Sequence, residues 1–287
     1  MTADSTGKEP LRIAVVAPAS RLSPEVPAQV QALAARLYPE RTPSLFFHPQ
    51  CFLSSGHFAG DDAARAAALV EVANSEAHDA VWFARGGYGS GRLIERVLAQ
   101  LGPAAPAKTW LGYSDAGALL AAFQSQGFEH LAHGPIPQDI LREGGEAAVA
   151  RALTWLVDRD PAALEPSLAV DPRPAAAFNL TIACSMLGTP WQPDLAGHVL
   201  MLEEVGEYMY RIDRSLFQLT SNPAMRRVAG LRLGRCSAIP DNDPDFAQTE
   251  EQVARTWCAR SGIAYLGRAD IGHDAANKVV PFGARLA

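Results

Sequence analysis

The sequence is poor in lysine and cysteine, and each shortage argues against particular classes of protein. Of 287 residues only three are lysine, at positions 8, 108 and 278, and 25 basic residues face 31 acidic ones, for a net charge of −6. Lys and Arg form no cluster, so we do not expect a nucleic-acid partner. The four cysteines are scattered without a C-x-x-C pair. That spacing argues against a zinc ribbon and against a disulfide-stapled secreted domain.

Long apolar runs are also missing. No stretch approaches the roughly 18–20 residues that a membrane helix needs. Residues 1–10 lack the basic start and apolar stretch of a secretory signal, and we expect them to form a disordered tail. We therefore expect a cytoplasmic protein without a membrane partner. With 48% apolar and 20% charged residues, the remainder is expected to build a sizeable core.

Metal and cofactor motifs are not indicated. The acidic run Asp241–Asp245 is followed by Phe246 and Gln252 where a calcium-binding EF-hand loop needs Gly and Glu. No H-E-x-x-H zinc motif occurs. The glycine-rich run Gly86–Gly91 fits neither G-x-G-x-x-G nor the G-K-[ST] ending of a P-loop. We expect neither a metal ion nor a cofactor.

Strand and helix patterns alternate through the first half of the chain and predict an α/β fold. This alternation is typical of a parallel sheet with helices on both faces, Rossmann-like, over residues 11–159. Ser23 before Pro24 predicts a cap for the first helix. The proline-rich segment 160–176 predicts a linker. Residues 177–287 predict a smaller C-terminal α/β domain rich in strands. The four predicted strands of the first domain are Leu11–Ala17, Ser44–His48, Ala80–Arg85 and Thr109–Tyr113.

A serine stands where the fourth predicted strand meets a helix. At that place the Ser114 hydroxyl would lie at the carboxyl edge of the sheet, where ligands bind in such folds. It would also lie near a helix N-terminus, which favours developing negative charge. The pattern resembles a nucleophile elbow, although Ala116 departs from G-x-S-x-G. The alternative is that Ser114 or Asp115 only caps the helix.

The glycine-rich run follows the third predicted strand. Adjacent glycines allow main-chain N–H groups to turn toward a substrate oxygen. An oxyanion hole, a phosphate cradle and a plain tight turn all remain open for Gly86–Gly91.

A nucleophilic serine needs a base and an orienting group. His133 and His273 both stand in small polar loops, and their spacing does not choose between them. Glu203 and Glu204 end a predicted strand. Because side chains alternate along a strand, one carboxylate is expected to enter the site and the other to face solvent.

These motifs together resemble the LD-carboxypeptidases (muramoyltetrapeptide carboxypeptidases), a family of serine peptidases that includes the microcin C self-immunity proteins. The matching stretches run through nearly the whole chain in the family's order. They are Ala14–Ser20, Ala84–Gly91, Leu111–Leu119, His133–Pro135, Leu187–Trp191, Leu202–Leu219, Gly272–His273 and Val280–Gly283.

The resemblance implies a Ser-Glu-His triad carried on two domains. Ser114 would be the nucleophile, Glu203 the orienting carboxylate and His273 the base. The resemblance thus selects one residue from each pair of candidates above.

The resemblance also implies an oxyanion hole made by main-chain N–H groups at Gly86 or Gly87 and at Asp115. The expected reaction is hydrolysis of the amide between an L-centre (L-Lys or meso-diaminopimelate) and the terminal D-Ala of murein tetrapeptides. A homodimer is implied as well.

Substrate recognition is less determined by the sequence. A terminal carboxylate needs cations or main-chain donors, and Arg85, Arg211 and Arg214 are candidates. The alternative for these arginines is pairing with nearby acids such as Glu207 or Asp213.

Two other functions remain open. One is cleavage of a peptidyl-nucleotide, as in the self-immunity branch, with Trp191 or Trp257 stacking on the base. The other is a small-ligand-binding module without catalysis.

Overall fold

Two open sheets and eight α-helices make up the part of the chain that the computed structural model describes, residues 9–283. The predicted tail, residues 1–10, lies outside the described residues except for its last two. The strands are β1 (Arg12–Val16), β2 (Ser44–Phe47), β3 (Ala80–Phe83), β4 (Thr109–Gly112), β5 (Leu131–His133), β6 (Ala175–Asn179), β7 (Val199–Val205), β8 (Gly230–Ser237), β9 (Tyr265–Arg268) and β10 (Val280–Pro281). The helices are α1 (Val26–Leu37), α2 (Asp62–Asn74), α3 (Ile94–Leu98), α4 (Gly117–Ser125), α5 (Gly145–Asp158), α6 (Leu180–Met186), α7 (Met209–Ser221) and α8 (Glu250–Ser261).

Strand β1 shows how the first sheet is buried on both faces. Ile13 and Val15 belong to the apolar cluster that includes α1 and α5. Ala14 and Val16 belong to the cluster that includes α2, α3 and α4. All four side chains are fully buried, which explains why the strand is a continuous apolar run and does not alternate with polar residues. The predicted α/β class, with helices on both faces of the first sheet, is confirmed.

The strand order of the first sheet determines where a ligand can bind. The order is β10-β5-β4-β3-β1-β2, and the strands are parallel except for β10. The chain moves from β1 to β2 on one side and then returns to β3 on the other. Doubly wound sheets bind ligands outside the carboxyl ends of their strands at such a switch point. The loops that follow β1, β3 and β4 meet at this edge.

The second sheet has the order β6-β7-β8-β9 and is parallel throughout. One face of this sheet belongs to the same apolar cluster as α4, the helix that follows β4 of the first sheet. Phe178, Leu180 and Leu202 are buried in that cluster. The chain then returns to the first sheet, because Val280 of β10 pairs antiparallel with His133 of β5. The loop between β9 and β10 therefore crosses from one sheet to the other.

The predicted cap of the first helix is wrong. The N-cap residue is Glu25, and its side chain makes no capping hydrogen bond. Ser23 is engaged elsewhere, since its main-chain N–H donates to Gln138 Oε1 at 3.1 Å and its hydroxyl accepts from Gln138 Nε2 at 3.1 Å. This pairing ties the start of α1 to the segment after β5.

Candidate active site

Ser114 occupies a sharp turn between β4 and α4. Its φ is 60°, in the left-handed region that side-chain-bearing residues seldom occupy. Tyr113 before it is extended, and residues Ser114–Ala116 form a single 3-10 turn that leads into the helix. Strain of this kind is held in place by surrounding structure and is concentrated at functional sites. The turn presents the hydroxyl at the carboxyl edge of the first sheet.

His273 and Glu203 lie next to that hydroxyl. His273 Nε2 is 2.9 Å from Ser114 Oγ, and His273 Nδ1 is hydrogen-bonded to Glu203 Oε2. The histidine side chain is 10% exposed and the glutamate is fully buried. Burial raises the pKa of Glu203, whereas the hydrogen bond from His273 lowers it. With Nδ1–H donating to the carboxylate, Nε2 is left free to accept the serine proton.

The loop between β9 and β10 explains how residues so distant in sequence meet. Ser114 follows a strand of the first sheet, Glu203 lies in β7 of the second, and His273 lies in the crossing loop. Arg235 pairs with Asp270 and Asp274 on either side of the histidine, at 2.5 Å in each case. These contacts fix the loop at the boundary of the two sheets.

Glu204 does not face solvent, so that part of the strand-end prediction is wrong. Its carboxylate is buried and accepts from Asn179 Nδ2 at 2.6 Å, from the Thr181 main-chain N–H at 2.9 Å and from the Thr181 hydroxyl at 2.7 Å. The N-terminus of α6 supplies free N–H groups that need an acceptor there. Glu203 and Glu204 therefore serve opposite faces of one strand.

His133, the other histidine candidate, is 1% exposed, and its Nε2 lies 3.3 Å from Asn277 Oδ1. Burial lowers its pKa to about 3, so the ring stays neutral near pH 7. The structure brings His273 to the serine and leaves His133 inside the protein.

Of the two glycines predicted for the oxyanion hole, Gly86 lies against the Ser114 hydroxyl. A Cβ added to Gly86 would lie 2.8 Å from Ser114 Oγ, so a side chain there would displace the hydroxyl. Gly87 has a φ of 113°, and a Cβ there would lie 2.2 Å from Ser20 Oγ. Asp115 follows the serine directly. Gly86 therefore borders the Ser114 hydroxyl and Asp115 belongs to the serine turn, whereas Gly87 borders Ser20.

The side chains of Asp115 and Arg65 hold the glycine-rich run in place, and the sequence predicted this role for neither of them. The buried carboxylate of Asp115 accepts from the Ser90 main-chain N–H at 2.8 Å. Arg65 is fully buried and donates to the carbonyls of Gly89, at 3.0 Å, and Pro18. The only sequence signal is an arginine on the buried face of an alanine-rich helix.

The arginines considered for a substrate carboxylate have partners within the protein. Arg211 pairs with Glu207 at 2.6 Å, one helical turn away. Arg85 donates to a main-chain carbonyl at position 21, and the Arg214 guanidinium lies over the Tyr210 ring at 5.3 Å. Of the three arginines, Arg211 therefore pairs with a nearby acid, as the alternative in the sequence analysis expected.

The two tryptophans considered for base stacking also have partners. Trp257 Nε1 donates to Asp213 at 2.8 Å, and its ring contacts Phe217. Trp191 is half-buried against the apolar cluster that both sheets share.

Between residues 9 and 283 no group of three His, Cys, Asp or Glu side chains is arranged to hold a metal ion. In that part of the chain no helix is both long and apolar enough to cross a membrane.

Family models match both halves of the chain. A model described as the LD-carboxypeptidase N-terminal domain matches residues 13–134, and one described as the LD-carboxypeptidase C-terminal domain matches residues 176–287. Together they cover most of the sequence, including the positions of Ser114, Glu203 and His273.

Individual proteins agree with the family models. The murein tetrapeptide carboxypeptidase of Pseudomonas aeruginosa is 29% identical over 95% of this chain and 91% of its own. The crystal structure of muramoyltetrapeptide carboxypeptidase from Oxalobacter formigenes covers 95% of this chain and 92% of its own, with a TM-score of 0.73 and 22% identity. The microcin C7 self immunity protein in its wild-type apo state gives a TM-score of 0.76 at 15% identity, over 96% of this chain and 92% of its own. The two structures share the fold of this protein.

Proposed function

This chain belongs to the LD-carboxypeptidase family, and we propose that it releases the terminal D-alanine of murein tetrapeptides in the cytoplasm. The family makes it a serine-type carboxypeptidase. The bond cleaved would join an L-centre, L-Lys or meso-diaminopimelate, to the D-residue. The murein relative supports this substrate, because the similarity extends over nearly the whole of both chains.

The observation that carries the proposal is the unbroken chain of contacts from Ser114 Oγ through His273 to Glu203. In the proposed first step Oγ forms a bond to the scissile carbonyl carbon, and His273 Nε2 takes the hydroxyl proton. His273 then gives this proton to the leaving amine as the C–N bond breaks. Glu203 keeps the imidazole in the required tautomer and stabilises its charged form.

The second half of the reaction uses the same residues. A water molecule gives a proton to His273 and attacks the acyl-enzyme carbon. The bond to Ser114 Oγ then breaks, and the serine recovers its proton. The oxyanion of each step would accept from the main-chain N–H groups of Asp115 and of Gly86 or Gly87. Of the two glycines, Gly86 borders the serine hydroxyl. From the family resemblance we further propose a homodimer, which sedimentation of the purified protein would test.

The substrate is tested by direct competition. The enzyme is incubated with a murein tetrapeptide ending in D-Ala, with the same peptide ending in L-Ala, and with a peptidyl-nucleotide conjugate. Products are followed by mass spectrometry. We expect loss of one alanine from the D-terminated peptide alone. Turnover confined to the peptidyl-nucleotide, or equal cleavage of the two peptide epimers, would contradict the proposal.

A further inference from the structure

A second buried carboxylate, Asp139, lies behind the proposed triad. It stands in the 3-10 turn Pro137–Leu141 that follows β5, and it is 1% exposed. The turn is fixed against the start of α5, because a Cβ added to Gly145 would lie 1.9 Å from the Asp139 carbonyl oxygen. Asp139 therefore lies in a turn that packs closely against the start of α5.

One oxygen of this carboxylate joins two elements of the site. Oδ1 accepts from the Tyr113 hydroxyl at 3.0 Å and pairs with Arg142 Nε at 2.9 Å. Tyr113 directly precedes Ser114. Arg142 Nη1 in turn donates to the main-chain carbonyl of His273. Asp139 Oδ1 therefore binds the residue before the serine directly and is linked to the main chain of the histidine through Arg142.

The Tyr113 side chain makes a second contact in the same direction. Its ring centroid lies 4.9 Å from that of His273, so the tyrosine also supports the imidazole itself. Tyr113 is 1% exposed, whereas the Arg142 side chain is 37% exposed. The link therefore runs from a buried ring, through a buried carboxylate, to a guanidinium at the surface.

A purely local role explains only half of these contacts. Oδ2 of Asp139 accepts from the Ile136 main-chain N–H at 3.0 Å and closes its own turn. The other oxygen is not needed for that turn, and both of its partners lead to the site. A buried carboxylate with a charged partner is costly to leave half-paired, so the link is expected to act as a unit.

We propose that Asp139 is a positioning residue that holds the Ser114 turn and the His273 loop in register. The inference rests on the proposed function, in which Ser114 and His273 react together. The two side chains come from loops with different attachments, and the 2.9 Å between them is set by both. A displacement of about 1 Å at reacting groups can reduce turnover by about 100-fold.

The experiment compares variants of the full chain on the murein tetrapeptide. Arg142→Met removes the contact with the histidine loop and is expected to lower kcat by about 10- to 100-fold, with KM within about twofold of wild type. Tyr113→Phe removes only the hydroxyl and is expected to lower kcat by about tenfold. The double variant should be no slower than Arg142→Met, because both changes cut the same link.

Arg151→Met is the matched control. Arg151 Nη1 donates to the carbonyls of Ala275, at 3.2 Å, and Asn277, at 2.6 Å, in the same loop, and neither contact leads to Asp139. This variant is expected to keep kcat within about threefold of wild type while its melting temperature falls. Tyr113→Phe keeps the test available if Arg142→Met does not fold.

The outcomes separate this inference from the proposed function. Ser114→Ala is measured in the same series, and wild-type turnover by that variant would overturn the proposed function itself. If Ser114→Ala is inactive, three results would overturn the role of Asp139 alone. They are an equal loss of kcat in Arg151→Met and Arg142→Met, multiplicative losses in the double variant, and a rise in KM without a fall in kcat.

Discussion

His133 and His273 flank a single tyrosine ring yet differ in the partners of their ring nitrogens. The Tyr113 centroid is 5.6 Å from that of His133 and 4.9 Å from that of His273. His133 is sealed in the core with an amide as its partner, and its pKa is depressed to about 3. His273 has a buried carboxylate on one nitrogen and a serine hydroxyl on the other. The comparison shows that a histidine can act as a base only when both ring nitrogens have suitable partners and the ring is accessible to substrate. The composition of a loop does not reveal those partners.

The same contrast applies to Glu203 and Glu204. Glu203 has a histidine as its partner, and Glu204 has a helix N-terminus. Adjacent carboxylates of one strand thus support chemistry on one face and structure on the other. Replacing each residue of such a pair separately tests the assignment.

The largest difference is expected between the histidines. His273→Gln should lower kcat about 10⁴-fold or more, because the nucleophile loses its base. His133→Gln should keep kcat within about tenfold of wild type, because its ring does not touch the serine. Steady-state release of D-alanine measures both. Comparable losses in the two variants would remove the distinction.

The two glutamates should differ nearly as much. Glu203→Gln is expected to lower kcat by about 10³- to 10⁴-fold, since an amide can no longer hold the imidazole in the required tautomer. Glu204→Gln should leave kcat near wild type and lower the free energy of unfolding by about 1–3 kcal/mol, because a buried acceptor for α6 is impaired. Kinetics and urea unfolding of both proteins check this. A stability loss in Glu203→Gln with full activity would reverse the assignment.

Alanine substitutions at two glycines make the same kind of comparison for the main chain. Gly86→Ala should lower kcat by about 10²- to 10³-fold. The added methyl would displace the serine hydroxyl and, with it, the proposed oxyanion donor at the Gly86 main-chain N–H. Gly91→Ala is the control, since a Cβ there meets no atom of the described residues within 4 Å. Unchanged kcat in both variants would exclude Gly86 from the site.

The smallest expected effect concerns stability and pH. His133 has a pKa of about 3 in the folded protein and an ordinary value of 6.5. Between these values the unfolded chain binds the extra proton, so wild-type stability falls as the pH falls below 6.5. His133→Gln lacks this effect. Its unfolding free energy relative to wild type should therefore rise by about 2 kcal/mol between pH 7 and pH 5. Urea unfolding at both pH values measures the change, and a pH-independent difference would contradict it.

Strands that lie in runs of large apolar residues were predictable from the sequence, and strands without such a run were not. β1, β3 and β4 are mostly apolar runs buried on both faces, and such runs are visible in the local sequence. Three further strands have no such signal. β5 has three residues, β6 is mostly alanine, and β10 has two residues, one of them a proline. Each becomes a strand only because a partner strand is already in place beside it.

The residues of the site also differ in whether the local sequence reveals them. The serine turn has a local pattern, and the family resemblance named Ser114, Glu203 and His273. Residue patterns alone left His133 and His273 open. The distance of His133 from the serine depends on the pairing of β4 with β5, and that of His273 on the return of β10 to the first sheet. Asp139 and Arg142 carry no motif either. Their contacts exist only once the loops of both sheets have met.

The central claim is that Ser114, His273 and Glu203 act as one unit, and kcat for D-alanine release tests it most directly. Ser114→Ala, His273→Ala and the double variant are compared on the murein tetrapeptide. We predict that each single change removes nearly all turnover and that the double variant is no slower than either single variant, because residues of one unit are not additive. Turnover by Ser114→Ala within about tenfold of wild type, or multiplicative losses in the double variant, would contradict the account.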